Sequence, residues 1–225
     1  MSTTVVALVP MRHDSERVPG KNYRPFDGRP LYHHIVSSLL ACPSIDTVAI
    51  DTDSQLIADD ARIAFPDVRV IERPRHLRDG RIPMNDVLLH DTQQIAGDYY
   101  LQTHSTNPLV TPETIESAIS AFLSATLRYD SLFSVTRLYK RFWTEEGRPM
   151  NHDPSVLLRT QDLPPVLEEN SCIYLFSRAS LELHGNRIGE RPLLYPIPAE
   201  EAWDIDEEAD FLVTEFLHQQ RARRP

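Results

Sequence analysis

Short β-branched apolar runs alternate with longer stretches of helical spacing from residue 3 to residue 138, and this alternation constrains the fold more than any other feature of the chain. TTVVALVP (3–10), IDTVAIDTD (45–53), DVRVIER (67–73), DYYLQTH (98–104) and SLFSVTRL (131–138) read as strands. Between them, PLYHHIVSSLLAC (30–42), SQLIADDARIA (54–64), PMNDVLLHDTQQIAG (83–97) and TPETIESAISAFLSA (111–125) read as helices. Ser54 and Thr111 stand where N-caps belong, and Pro112 occupies a first helical position. A β-α-β-α rhythm implies an α/β fold, with helices on both faces of a mostly parallel sheet. Ligands in such folds bind at the carboxyl ends of strands. Three strand ends carry polar clusters: Arg12–Asn22, Asp51–Ser54 and Gln102–Asn107.

The rhythm breaks after the strand that ends at residue 138. The segment 137–169 is rich in prolines, aromatics and charges without a period, and it reads as an excursion from one domain spanning 1–225. Strand pattern returns in SCIYLFSR (171–178) and RPLLYPIP (191–198). An acidic cluster then leads into a last helix within 200–220, and a frayed tail RARRP is expected at 221–225.

With 225 residues, 41% of them hydrophobic, the chain can bury a large core. A net charge of -10 excludes nucleic-acid binding by bulk charge. Cys42 and Cys172 have no CxxC partners and read as buried thiols. No leader or membrane span is recognisable, so a soluble cytoplasmic protein is expected. In this acidic background, Arg12, Arg17 and Lys21 crowd the first loop, MRHDSERVPGKN, around a Pro19-Gly20 turn. Arginine forks and a lysine point charge suit a polyphosphate. Neither GxxxxGK[ST] nor GxGxxG is present, which excludes the common P-loop and dinucleotide folds.

Several motifs, in order, resemble the sugar-activating cytidylyltransferases, especially the CMP-sialic acid synthetase (acylneuraminate cytidylyltransferase) family. VPMRHDSERVPGKN…GRPL resembles the family's opening P-A-R-x-x-S-K-x-x-P-x-K-N…G-x-P-L, and ERPRHL its R-P-x-x-L. YLQTHSTNPLVTPETI resembles L-L-Q-P-T-S-P-L-R-T, and LPPVLEENSCIYLFSR the segment containing N-G-x-I-Y. AWDIDEEADFLVTE resembles the closing D-I-D-x-x-x-D-x-x-x-A-E. The chain departs from these patterns at Met11, where a small residue is usual, and at Glu16, where lysine is common. His104 and Ser105 stand at the family's glutamine and proline, with Gln102 two residues upstream, and Ser171 replaces the glycine.

The resemblance implies a three-layer α/β/α nucleotidyltransferase fold in which the protruding segment builds a homodimer. It implies transfer of CMP from CTP to the anomeric hydroxyl of a sialic (nonulosonic) acid, with release of pyrophosphate, in cell-surface polysaccharide biosynthesis. Arg12, Ser15, Lys21 and Asn22 would then hold the triphosphate, with Arg12, Lys21 and Asp206 catalytic. Arg73, Asn85, Gln102 and His104 are the candidates for the nucleotide base. Gln102, Thr106, Lys140, Arg159, Gln161, Asn170 and Tyr174 are those for the sugar acid. In an extended Asp204-Ile205-Asp206 both carboxylates share a side, which suits Mg²⁺, with Mn²⁺ an alternative. The acidic residues after them fit a helix start. Two other readings stay open: a cytidylyltransferase for the eight-carbon acid Kdo, and a non-catalytic nucleotide-binding regulator on the same fold.

Overall fold

A computed structural model describes residues 3–222. The residues of the expected tail beyond 222 lie outside this range. Seven strands form one sheet in the order β5-β4-β1-β6-β8-β7-β9. They are β1 (Val5–Met11), β4 (Thr47–Thr52), β5 (Arg69–Glu72), β6 (Tyr99–Gln102), β7 (Ser131–Leu138), β8 (Val166–Phe176) and β9 (Pro192–Pro196). A two-residue hairpin, β2 (Pro25–Phe26) with β3 (Arg29–Pro30), follows the first loop. The sheet pairings β1–β4, β1–β6, β4–β5 and β7–β9 are parallel, and β8 runs antiparallel to both β6 and β7.

Side chains alternate along β1, and each parity feeds one core. Val5, Ala7, Val9 and Met11 pack with helices α1 (Leu31–Leu40), α2 (Gln55–Ala64) and α4 (Pro112–Leu123). Val6 and Leu8 pack on the opposite face with α3 (Met84–Gln94) and α5 (Arg178–His184). The expected layers are therefore present, with β1 buried throughout. The caps form as the sequence indicates. The Ser54 and Thr111 hydroxyls accept from the backbone N–H groups of Ile57 and Thr114. Among the described residues no helix is long and apolar enough to cross a membrane.

Within the segment 137–169, the ends of β7 and β8 continue their pairing, Trp143 bridges Pro149, and one 3₁₀ turn spans Thr160–Asp162. A last helix, α6 (Glu208–Ala222), crosses back toward the first loop. There Phe211 and Ile205 share a small core with Val18, Phe26 and Leu31.

Candidate active site

An open cleft of about 480 Å³ lies at the carboxyl end of β1, where the first loop, the turn after β6 and the segment before α6 converge. Arg12, Ser15, Lys21, Asn22, Arg73, His104, Thr106, Asp204 and Asp206, all expected from the sequence, line it.

The first loop is shaped by Gly20, which adopts φ +66°. A Cβ there would approach the Tyr23 ring to 3.0 Å, and the left-handed backbone disfavours any other residue. The turn delivers Lys21 and Asn22 to the cleft floor. Lys21 Nζ donates to the carbonyl of Ile205. Asn22 donates to the carbonyl of Arg12 at 2.7 Å and accepts from Ser105 Oγ at 2.6 Å. The loop is thus tied to both the turn after β6 and the acidic segment. Burial pulls the Lys21 ammonium below its usual range, against the opposing pull of Asp204 and Asp206.

Ile205 is fully buried between the two aspartates, which turns both carboxylates toward the cleft. Asp206 pairs with Arg17 at 2.5 Å in an exposed contact. Asp204 is pushed up from the ordinary carboxylate range by burial and by Asp206, while a hydrogen bond with Thr106 and the charge of Lys21 oppose this. Its Oδ1 is buried with no hydrogen-bond partner. An orphaned anionic oxygen beside a second carboxylate is a donor set that suits a hard divalent cation. The residues beyond behave as a helix start: Asp210 accepts from the N–H groups of Asp206 and Glu207, and Glu208 forms a double contact with Arg24 at 2.6 and 2.7 Å.

Arg73 reaches the cleft from a buried position, with its guanidinium held by Asp51. Asp91, wholly buried on α3, is the next carboxyl inward, and burial together with Asp51 holds its proton well above the usual range. Oδ2 of each aspartate lacks a donor among the described residues. Asp51, His90 and Asp91 place ligand-type atoms within 4.8 Å of one another, a geometry open to a metal ion. With Asp91 protonated, as its raised pKa favours, the Arg73–Asp51–Asp91 group is neutral.

The remaining sequence candidates lie off this cleft. Gln102 is wholly buried behind His104. Its Oε1 accepts from Arg187 at 2.6 Å, and an arginine can only donate, so its Nε2 faces the Thr103 carbonyl and His104 Nε2. His104 Nε2 is therefore an acceptor and its proton sits on Nδ1. Burial, Arg187 and Lys21 hold its pKa down at about 3, so the ring is neutral. Asn85 accepts from the Arg187 backbone N–H at 3.2 Å. Asn170 is a structural staple: it accepts from Ser134 Oγ and the Cys172 N–H and donates to Thr136 Oγ1. It thereby holds a bulge in β8, where pairing with β7 jumps from Tyr174 to Glu169. The bulge presents Ser171, at φ +59°, to the cleft. Tyr174 is buried, its hydroxyl bound to Glu169 and Ser171. Lys140, Arg159 and Gln161 project from the protruding segment, with Arg159 paired to Asp162 at 2.6 Å. The sequence reading missed Arg187, which lies in an aperiodic loop after α5; its only advance signal was a lone arginine in HGNRIGE.

Comparison with known proteins supplies an independent line. A protein-family model described as Cytidylyltransferase matches residues 6–215. The chain is 28% identical over 222 residues to N-acylneuraminate cytidylyltransferase A of Danio rerio, covering 95% of this chain and 50% of that protein. The chain thus spans half the length of that relative. It is also 28% identical over 200 residues to 3-deoxy-manno-octulosonate cytidylyltransferase of Anaeromyxobacter dehalogenans, covering 84% of this chain and 69% of the other. Among solved structures, a CMP:2-keto-3-deoxy-manno-octonic acid synthetase complexed with CTP superposes with a TM-score of 0.72 at 15% identity. That alignment covers 97% of this chain and 100% of the other.

Proposed function

Because the chain belongs to the cytidylyltransferase family, we propose that it transfers CMP from CTP to the anomeric hydroxyl of a sialic-type (nonulosonic) acid, releasing pyrophosphate. The observation that carries this reading is the cleft itself. Arg12, Lys21 and Arg73 line it together with the Asp204–Asp206 pair, one of whose buried oxygens has no hydrogen-bond partner among the described residues. Such a site can gather a triphosphate and a cation together.

In this reading the sugar hydroxyl oxygen forms a bond to the α-phosphorus, and the bond from that phosphorus to the bridging oxygen of pyrophosphate breaks. Arg12 and Lys21 stabilise the charge that builds on the phosphoryl and leaving oxygens. Asp206 takes the hydroxyl proton. Asp204 and Asp206 would hold Mg²⁺, or Mn²⁺, which when bound neutralises phosphate charge as a Lewis acid. Asn22 and Ser15 serve as neutral donors, and Arg73 and His104 face the nucleotide. Lys140, Arg159 and Gln161 do not line the cleft of their own chain, although Lys140 shares an adjoining hollow with Asp204, and we assign them to the neighbouring active site of a homodimer.

A second reading, transfer to the eight-carbon acid Kdo, is favoured by the likeness to the Anaeromyxobacter dehalogenans protein. CTP-dependent pyrophosphate release against sialic, legionaminic, pseudaminic and Kdo acids decides between them. The expected outcome is turnover with a nine-carbon acid. Turnover with Kdo alone transfers the assignment to the second reading, and CTP binding without turnover on any acid favours a regulator. Lys21→Ala should lower kcat/KM by about two to three orders of magnitude with the fold intact, the usual cost of removing a preorganised charged donor. A variant with near-normal kcat/KM would return the first loop to a surface role.

A further inference from the structure

We propose that Arg187 selects the acceptor by binding its carboxylate, making it a specificity-determining residue of the sugar-acid pocket; this rests on the transfer reading above. The arginine is built into place. Its backbone N–H is held by Asn85 on α3. Two residues on, the Gly189 N–H donates to Ser131 Oγ at 2.9 Å, so the loop is pinned on both sides of the side chain. The guanidinium carbon stacks 3.6 Å from the centroid of the Tyr174 ring, and one nitrogen donates to Gln102.

That single bond leaves most of the five guanidinium N–H donors without an acceptor among the described residues. Among the described residues no carboxylate forms an ion pair with Arg187. Of the arginines that line the neighbouring cleft, Arg17 and Arg73 are paired, whereas Arg187 shares with Arg12 the lack of a carboxylate partner among the described residues. A half-buried, preorganised cation without a counter-ion is an anion site.

The place indicates which anion. Gln102 links Arg187 to His104, whose ring lines the cleft, so the arginine adjoins the cleft on the β6 side. The Tyr174 hydroxyl beneath it bonds to Ser171, which lines the cleft. The acceptor must stand beside the nucleotide, and its one obligatory charge is the carboxylate next to the anomeric carbon. Lys140 and Arg159, basic candidates for the sugar acid from the sequence, both stand exposed on the protruding segment, with Arg159 in a surface pair with Asp162. The Arg187–Gln102–His104 chain also fixes both an amide and a neutral imidazole for the hydroxyls nearby.

The test is calorimetric binding of the preferred sugar acid and of its carboxamide to the CTP-loaded enzyme, for wild type, Arg187→Gln and Arg187→Lys. Wild type should bind the acid at least roughly 30-fold more tightly than the carboxamide, the scale of a lost partner in a charge pair. Arg187→Gln, which keeps a donor for Gln102, should abolish that preference and leave CTP affinity unchanged. Arg187→Lys should restore part of it. Equal loss of acid and carboxamide binding, or an undiminished preference in Arg187→Gln, overturns the proposal and leaves Arg187 as packing for Tyr174. Wild type that binds the acid with this preference yet releases no pyrophosphate refutes the transfer reading while Arg187 stands. Wild type that binds no acid refutes both.

Discussion

Ser171 and Asp91 show how single residues carry tension between site and stability. A serine held at φ +59° costs about 1 kcal/mol relative to glycine. Its hydroxyl recovers part of this by bonding to Tyr174 at 3.2 Å. Ser171→Gly should therefore raise the denaturant midpoint modestly, by up to about 1 kcal/mol of stability, with an unchanged slope. A clear loss of stability would mean that the Tyr174 contact outweighs the backbone. Asp91 poses an electrostatic version of the same problem. Its raised pKa means the folded protein keeps a proton that the unfolded chain has released above the ordinary carboxylate range. The folded state then binds more protons, so this contribution is full in acid and declines as pH rises. Asp91→Asn keeps a donor toward Asp51 without that titration. Thermal melts from about pH 5 to about pH 9 should fall less steeply for the variant, with its largest gain at the alkaline end. Parallel profiles would show that Asp91 is ionised in the fold.

Loops and strands differ in how much of their arrangement is local, and that decides what the sequence discloses. The helices α1 to α4 and the strands β1, β4, β5, β6 and β7 stand where period and caps put them, because burial on one face imposes the period directly. The short α5 escaped notice because seven residues make too few turns to display a period. The insertion of β8 between β6 and β7 is a non-local choice that no local pattern encodes. The basic first loop and the Asp204–Asp206 pair, which share one cleft, were legible from residue type and alternation. Arg187 was not, since its contact with Gln102 spans 85 positions. One loop contact can be tested directly. A Cβ on Gly80 would come within 2.2 Å of Arg12 Nη1, the far end of a flexible side chain. Gly80→Ala should leave the melting temperature nearly unchanged while moving Arg12 and weakening CTP roughly tenfold, the loss of one charge-assisted contact. Unchanged CTP affinity would remove Arg12 from the triphosphate site.

At the scale of the whole molecule, the protruding segment carries apolar side chains that the described residues leave wholly or half exposed. Leu157 is 92% exposed, and Trp143, Met150, Val156 and Leu158 accompany it. The homodimer proposed above would bury them. Sedimentation should report a dimer, and Leu157→Glu should weaken it. If Lys140 and Arg159 serve the neighbouring site, the variant should lose sugar-acid turnover yet retain CTP binding. A fully active monomer would return the segment to an ordinary surface loop.

The bond from Lys21 to Ile205 spans 184 positions, and Arg24–Glu208 spans the same distance. Arg17–Asp206 and the Asp27 N–H to Glu215 contact reach further, 189 and 188 positions. Synthesis is vectorial, so the basic loop leaves the ribosome long before the carboxylates that complete it. A nascent chain stopped short of Asp204 can present Arg12, Arg17 and Lys21 as a bare cationic patch, able to attract any polyphosphate. The cleft is complete only when the acidic segment emerges and folds back across the loop. Nucleotide bound there then holds together segments from opposite ends of the sequence, so saturating CTP should stabilise the whole fold rather than one lobe of it.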